Sequence, residues 1–205
     1  MIPQWLKWAR EIQALAQTSD AYAANQFQRE RDARLNEIAA EIVSAHTGME
    51  EAALMESFQA QRGYATPKVD VRGAVFQAGK LLMVRQVMDG GWCMPGGWAD
   101  VGDVPSEAIE REVWEEAGFE VKARKVVGIY DANRFGDLGL FHAFKIVFLC
   151  DILKGEAKAS VETSEVRFFG REEIPDGLSG ERTKARHIED AFAALEDPDL
   201  PTAFD

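Results

Sequence analysis

Glu112, Glu115 and Glu116 fall within five residues of one another on a short segment downstream of a glycine turn, Pro95-Gly96-Gly97. At about 100° per helical residue, their side chains share an edge roughly 100° wide. Ile109, Val113 and Ala117 make an adjacent apolar stripe, which fixes how that edge faces. Like charges at i, i+4 weaken a helix by about 0.2–0.5 kcal/mol per pair. The Glu112/Glu116 repulsion therefore implies a compensating cation or a well-solvated face. Beside a tight glycine turn, a hard divalent metal is the sharper reading, and a solvated acidic edge is the plain one.

The segment resembles the Nudix box, G-x5-E-x7-R-E-U-x-E-E-x-G-U, where U is bulky and aliphatic. Here it runs Gly97, five residues, Asp103, seven residues, then Arg111-Glu112-Val113-Trp114-Glu115-Glu116-Ala117-Gly118-Phe119. Asp103 replaces the first glutamate, and the final position is the aromatic Phe119. The resemblance implies a hydrolase that cleaves a nucleoside diphosphate linked to another moiety by water attack on phosphorus. It also implies Mg²⁺ or Mn²⁺ as cofactor. Glu112 and Glu116 are then ligands, Glu115 a ligand or catalytic group, and the Gly96 carbonyl a further donor. Gly97, Asp103, Arg111 and Gly118 are structural members of the box. Asp103 either caps the helix or braces the box through Arg111. Mg²⁺ takes oxygen ligands in octahedral geometry and keeps several waters, which suits this donor set.

In this family a further acid often comes from a loop before a late strand. Glu162-Thr163-Ser164-Glu165 precedes Val166-Arg167-Phe168-Phe169. The resemblance points to Glu165 as general base or additional metal ligand, with Glu162 as its rival and a polar turn as the alternative to both.

These groups need a scaffold. Val69–Phe76 and Leu81–Val84 read as strands joined by a turn at Gln77-Ala78-Gly79-Lys80. Strands resume at Val126–Tyr130 and Phe144–Cys150. Pro105 suits the first turn of the acidic helix, and Gly118 suits its left-handed end. Upstream, Trp5, Trp8, Ile12 and Leu15 recur at helical spacing. A second stripe runs through Leu35, Ile38, Ala39 and Ile42 to Gly48, and a third through Ala53, Leu54 and Phe58. Gly63 and Pro67 break the pattern. The reading is α+β: a small all-α domain over residues 1–63, then a Nudix α/β/α sandwich with a mixed sheet over 64–205. So small a helical domain has little core of its own. Trp5 and Trp8 are thus expected to pack within it, on the catalytic domain or on a partner subunit.

A helical N-terminal region followed by Gly-Gly-Trp-Ala-Asp-Val-Gly at Gly96–Gly102 is similar to the CDP-choline pyrophosphatase group. Relatives of that group are often labelled ADP-ribose pyrophosphatases. The resemblance implies CDP-choline hydrolysis to CMP and phosphocholine, with ADP-ribose hydrolysis as the nearest alternative, and a homodimer. A nucleotide sensor that keeps the fold without turnover is a rival from another class. Asp103 is the one box feature in its favour.

Substrate contacts are less specified. Arg85 at the end of a strand would meet a phosphate or sit as an ordinary surface arginine, and Trp98 beside the glycine turn would stack on a base or, the better reading, pack the turn. Tyr130 and Asp131 would receive a quaternary ammonium by cation–π and charge attraction, with half-buried core an equal reading of Tyr130, and Arg134 would repel choline while welcoming a phosphate. Trp92 is expected to pack the turn and His142 is a weak contact candidate. His46 and His187, in helical patterns, are expected at the surface.

Composition agrees with a cytoplasmic enzyme. The 205 residues carry a net charge of −12, which argues against a nucleic-acid partner needing a basic stripe. Cys93 and Cys150 are too few for a disulfide framework. No apolar run reaches membrane-spanning length, so no membrane partner is expected. Lys7, Arg10 and Glu11 interrupt any signal-peptide core.

Overall fold

The computed structural model describes residues 2–133 and 140–205. The helices are α1 (Gln4–Ala21), α2 (Gln26–Thr47) and α3 (Glu51–Gln59). Next come β1 (Lys68–Gln77), β2 (Lys80–Gln86), β3 (Trp92–Cys93), α4 (Pro105–Ala117), β4 (Phe119–Asp131) and β5 (Ala143–Gly155). β6 (Thr163–Phe169), α5 (Ala185–Glu196) and β7 (Ala203–Phe204) complete the order. The chain forms two compact units, one of residues 1–67 with 133–142 and one of 68–132 with 143–205.

In the helical unit, Asn25 caps α2 by accepting from the Gln28 N–H, and Gly48 closes it at φ 74°. The expected stripes are met in part: Ala39, Leu54 and Phe58 are core, and Trp5, Ile12 and Ile42 pack against it. α1 buries Leu6, Ala9, Gln13 and Ala16, while α2 buries Asp32, Ala39, Ala40 and Val43. Leu15 and Leu35 of those stripes are exposed, as is Trp8, for which packing on a partner subunit is one of the expectations. Alanines thus fill much of the buried face of α1 and α2, and Trp8 and Leu15, each one position before a buried alanine, are turned out. His46 is exposed as expected, with its ring stacked on Trp5 at 4.5 Å.

In the second unit, the sheet order is β3-β2-β1-β5-β4-β7, with β6 paired to the free side of β2. β1 pairs in parallel with β5, whereas β2 is antiparallel to β1, β3 and β6. The sheet is therefore mixed. Strand alternation sorts side chains onto two faces. Val71 and Val75 of β1 join Ile109, Val113 and Ala117 of α4 in one core. Ala74, Val147 and Leu149 join Ile188, Ala191 and Phe192 of α5 in the other. This gives the helix–sheet–helix layering.

β1 touches β2 only at the hairpin end, through Phe76↔Leu81 and Gln77↔Lys80. Further along, β1 pairs instead with the glycine turn: the Val71 N–H donates to Gly97 O and the Gly73 N–H to Pro95 O. The two strands diverge around that turn, and Arg72 of β1 and Gln86 of β2 both reach the cavity described next. Pro105 opens α4 and Gly118 closes it at φ 80°. A Cβ at Gly73 would lie 2.8 Å from Val113 Cγ2, so the missing side chain is what lets α4 sit down on β1.

Candidate active site

A cavity of about 490 Å³ lies against the acidic edge of α4. Glu112, Glu115 and Glu116 line it with Gly96, Gly97 and Trp98. The opposite contributions are Glu162 and two arginines, Arg72 and Arg182.

Glu116 is buried and fixed at both oxygens. The Gly96 N–H donates to Oε2 at 2.9 Å, and Gln86 Nε2 donates to Oε1 at 3.1 Å. Burial raises the Glu116 pKa, and these two hydrogen bonds oppose the shift. Glu112 is less tightly held. Burial, then repulsion from Glu116, pushes its carboxyl up to about 7. Gly96 has φ 139°, and a Cβ there would lie 2.0 Å from Val71 O. At Gly97 a Cβ would fall 2.8 Å from Glu112 Oε2. Glycine is thus needed at Gly96 for the backbone path and at Gly97 for access to the carboxylate.

Asp103 does not cap α4: the N-cap position is Val104, with no side-chain cap bond. Instead Asp103 Oδ2 accepts from Arg111 Nη2 and from the Asp100 N–H, both at 3.0 Å. Arg111 also lies 3.6 Å from Glu112 Oε1. The shorter aspartate still reaches the arginine.

Glu162 arrives through a tight turn. Ser160 Oγ accepts from the N–H groups of Glu162 and Thr163, and Thr163 Oγ1 donates to Glu116 O at 2.7 Å. That last bond ties the start of β6 to the end of α4, which brings Glu162 to the acidic edge. Glu165 is different. It lies inside β6 rather than on a loop, opposite Arg85 of β2. Val166 and Phe168 face α4, so Glu165 and Arg85 face the other side of the sheet. Glu165 pairs with Arg85 at 2.8 Å and with Arg167. Neither Glu165 nor Arg85 lines the cavity.

The residues suggested for choline fare similarly. Tyr130 is buried and its hydroxyl donates to Asp190 at 2.8 Å, which closes its ring to a ligand. Asp131 ends β4, where its N–H donates to Asp205 Oδ2. Arg134 lies outside the described residues. Trp98 is half exposed at the cavity and Trp92 is core, as expected. His187 is buried against Tyr130 rather than at the surface, because α5 turns its inner face onto the sheet there.

Four residues near the cavity escaped the sequence reading: Arg72, Gln86, Arg182 and Asp70. Asp70 and Arg72 sit two apart in an otherwise apolar strand, which places both charges on one buried face. That pattern was available in the sequence. A single Gln86 and a loop Arg182 carried no such signal.

Several carboxylates around one cavity, one raised to about 7 by burial and like charge, make a donor set that a cation would relieve. Among the described residues, no three acidic, His or Cys side chains converge closely enough to hold an ion alone. A metal seated by Glu112, Glu115 and Glu116 would complete its shell with water and substrate oxygens, as Mg²⁺ ordinarily does.

Comparison with known proteins agrees with this geometry. Residues 66–192 match the NUDIX domain, and residues 3–58 match a domain described as UDP-X-like, N-terminal oligomerisation domain. The chain belongs to the Nudix family. It is 31% identical over 203 residues to "Putative ADP-ribose pyrophosphatase YjhB" of Bacillus subtilis (strain 168), covering 98% of this chain and 97% of that one. A crystal structure of an ADP-ribose pyrophosphatase from Streptococcus suis 89-1591 superposes with a TM-score of 0.62 at 35% identity. It covers 68% of this chain and 100% of its own. A UDP-X diphosphatase structure superposes with a TM-score of 0.63 at 28% identity over 98% of both chains. The protein is a Nudix pyrophosphohydrolase of small nucleoside diphosphate derivatives, a family that uses divalent metal ions. No described helix is long and apolar enough to cross a membrane.

Proposed function

We propose that this enzyme hydrolyses the diphosphate of ADP-ribose to AMP and ribose 5-phosphate, using Mg²⁺ or Mn²⁺ held by Glu112, Glu115 and Glu116 with the Gly96 carbonyl. The observation that carries the reading is that these glutamates and Glu162 line one cavity beside the glycine turn. When bound, the metal neutralises the diphosphate and makes a coordinated water more acidic. The chain's own residues do the rest. The Gly96 N–H and Gln86 hold the Glu116 carboxylate in one orientation. Arg111, braced by Asp103, keeps Glu112 in place. Glu162 is the proposed general base for the attacking water, with Glu115 as its rival, and Trp98 stacks on the base.

CDP-choline, put first on sequence grounds, becomes the second substrate. Its supposed aromatic contact, Tyr130, is buried and bonded to Asp190. Two similar chains carry ADP-ribose pyrophosphatase in their names, which supports this order. Assaying ADP-ribose, CDP-choline and a UDP-sugar side by side, with AMP, CMP and UMP as readouts, tests the order. Faster CMP release than AMP release reverses it.

The proposed assembly is a homodimer through the helical unit. Trp8, Leu15, Phe27 and Leu35 are exposed on α1 and α2, and the matching domain is described by its oligomerisation. Sedimentation of Leu15→Glu against the wild type tests it. A cytoplasmic setting is also proposed, in keeping with two buried free thiols, Cys93 and Cys150.

A further inference from the structure

We propose that Arg72 and Arg182 form an anion cradle that holds non-bridging oxygens of the substrate diphosphate, an inference resting on the diphosphate reading above. Among the described residues lining the cavity, they are the two cations beside four glutamates. A metal held by the glutamates would neutralise part of the diphosphate charge, and the other phosphate oxygens would need donors from the chain.

Arg72 is built as a fixed donor. Its Nε and Nη2 fork onto Asp70 at 2.9 and 2.7 Å, and its Nη1 donates to Met94 O at 3.3 Å. A guanidinium has five N–H groups. These bonds use three, so one N–H on each terminal nitrogen is left over. Lys145 donates to the same Asp70 at 2.8 Å. Asp70, Arg72 and Lys145 are all buried and sum to one positive charge. Glu116 and Glu112 face Arg72 across the cavity and offset that charge, and once a metal engages those carboxylates a phosphate oxygen can take the two N–H groups left over. Asp70 and Lys145 are in this view positioning residues, which hold the fork but do not touch substrate.

Arg182 is built as an exchangeable donor. Its Nη1 donates to Asp89 Oδ2 and to Ser179 Oγ, both at 3.1 Å. Among the described residues, its Nη2 reaches only the Met88 sulfur, at 3.9 Å. Asp89 is otherwise satisfied, since it accepts from Ser179 Oγ at 2.7 Å and from the Gly91 N–H at 2.9 Å. Arg182 can therefore leave Asp89 for a phosphate without stranding the carboxylate. A planar fork suits such an oxyanion better than a point charge does.

The test uses the full chain and methylenediphosphonate, the hydrolysis-resistant core shared by all nucleoside diphosphate derivatives. Its binding is followed by ³¹P NMR with and without Mg²⁺, and Mn²⁺ affinity is read separately by electron paramagnetic resonance. Arg182→Gln is expected to weaken diphosphonate binding at least tenfold while Mn²⁺ affinity stays within twofold of wild type. Arg182→Lys should recover part of the loss, and Arg72→Lys, which cannot fork onto Asp70, should lose as much as Arg182→Gln. Diphosphonate binding within twofold of wild type in Arg182→Gln overturns the cradle, as does a wild type that binds no diphosphonate. Arg182→Gln decides alone if near-ultraviolet circular dichroism shows Arg72→Lys misfolded. A wild type that binds the diphosphonate but no Mn²⁺ overturns the metal assignment and leaves the cradle standing.

Discussion

Glu165 and Arg85 face each other across the β2–β6 pair, joined by a 2.8 Å ion pair on the side of the sheet away from α4. Glu162, three residues earlier, lines the cavity. The two acids should therefore separate in kinetics. Glu162→Gln is expected to lower kcat by about 10²–10⁴, the usual worth of a general base, and Glu165→Gln to stay within about threefold of wild type on the same scale. Equal losses in steady-state turnover would show that Glu165 reaches the chemistry after all.

Glu116 accepts from both Gly96 and Gln86 while presenting a charge to the cavity. Glutamine at this position keeps an acceptor but loses the charge. Glu116→Gln should drop turnover by about a hundredfold or more, the scale of losing one charge-stabilising group, with an unchanged far-ultraviolet spectrum. Near-normal turnover would remove its ligand role.

The two turn glycines should fail in different ways. Gly96→Ala forces a Cβ against Val71 O at 2.0 Å and a strained φ, so thermal melting should show a large loss of stability. Gly97→Ala meets only the end of Glu112, a side chain that can swing away. Its melting temperature should barely move while Mn²⁺ affinity and turnover fall. The reverse pattern would place the crowding at the wrong residue.

His187 makes acid stability testable. Burial, followed by the Lys145 and Lys184 charges, lowers its pKa to about 3. Its Nδ1 accepts from the Lys184 N–H, which suits a neutral ring. An unfolded histidine titrates near 6.5, so between about 6.5 and 3 the unfolded chain binds the extra proton. Stability from this site is present above about 6.5 and lost as pH falls towards 3. Urea midpoints at pH 7.5 and 4.5 should fall further for wild type than for His187→Gln. Parallel falls would contradict the shift.

The box was legible because its residues act through spacing on one helix, where about 100° per residue fixes the shared edge. Strand pairs were legible as far as alternation showed them. The α1 and α2 faces were legible in part: Ile12, Ala39 and Ile42 belong to the helical core, while the buried alanines Ala9, Ala16 and Ala40 carry too little hydrophobic signal to mark a face. Glu165 was misplaced for another reason. A loop was assumed where β6 begins at Thr163, and one residue of strand decides which face a side chain takes. Arg182 and Gln86 join the site only through tertiary approach, which no local pattern records.

The central claim is that the acidic edge of α4 holds the metal that activates the diphosphate. Crystals soaked in Mn²⁺ with a methylene-bridged ADP-ribose analogue, examined by anomalous scattering, test it most directly. The account predicts manganese bonded to the Glu112 and Glu116 carboxylates and to the analogue's phosphates. Bound analogue with manganese elsewhere, or with none, would contradict it.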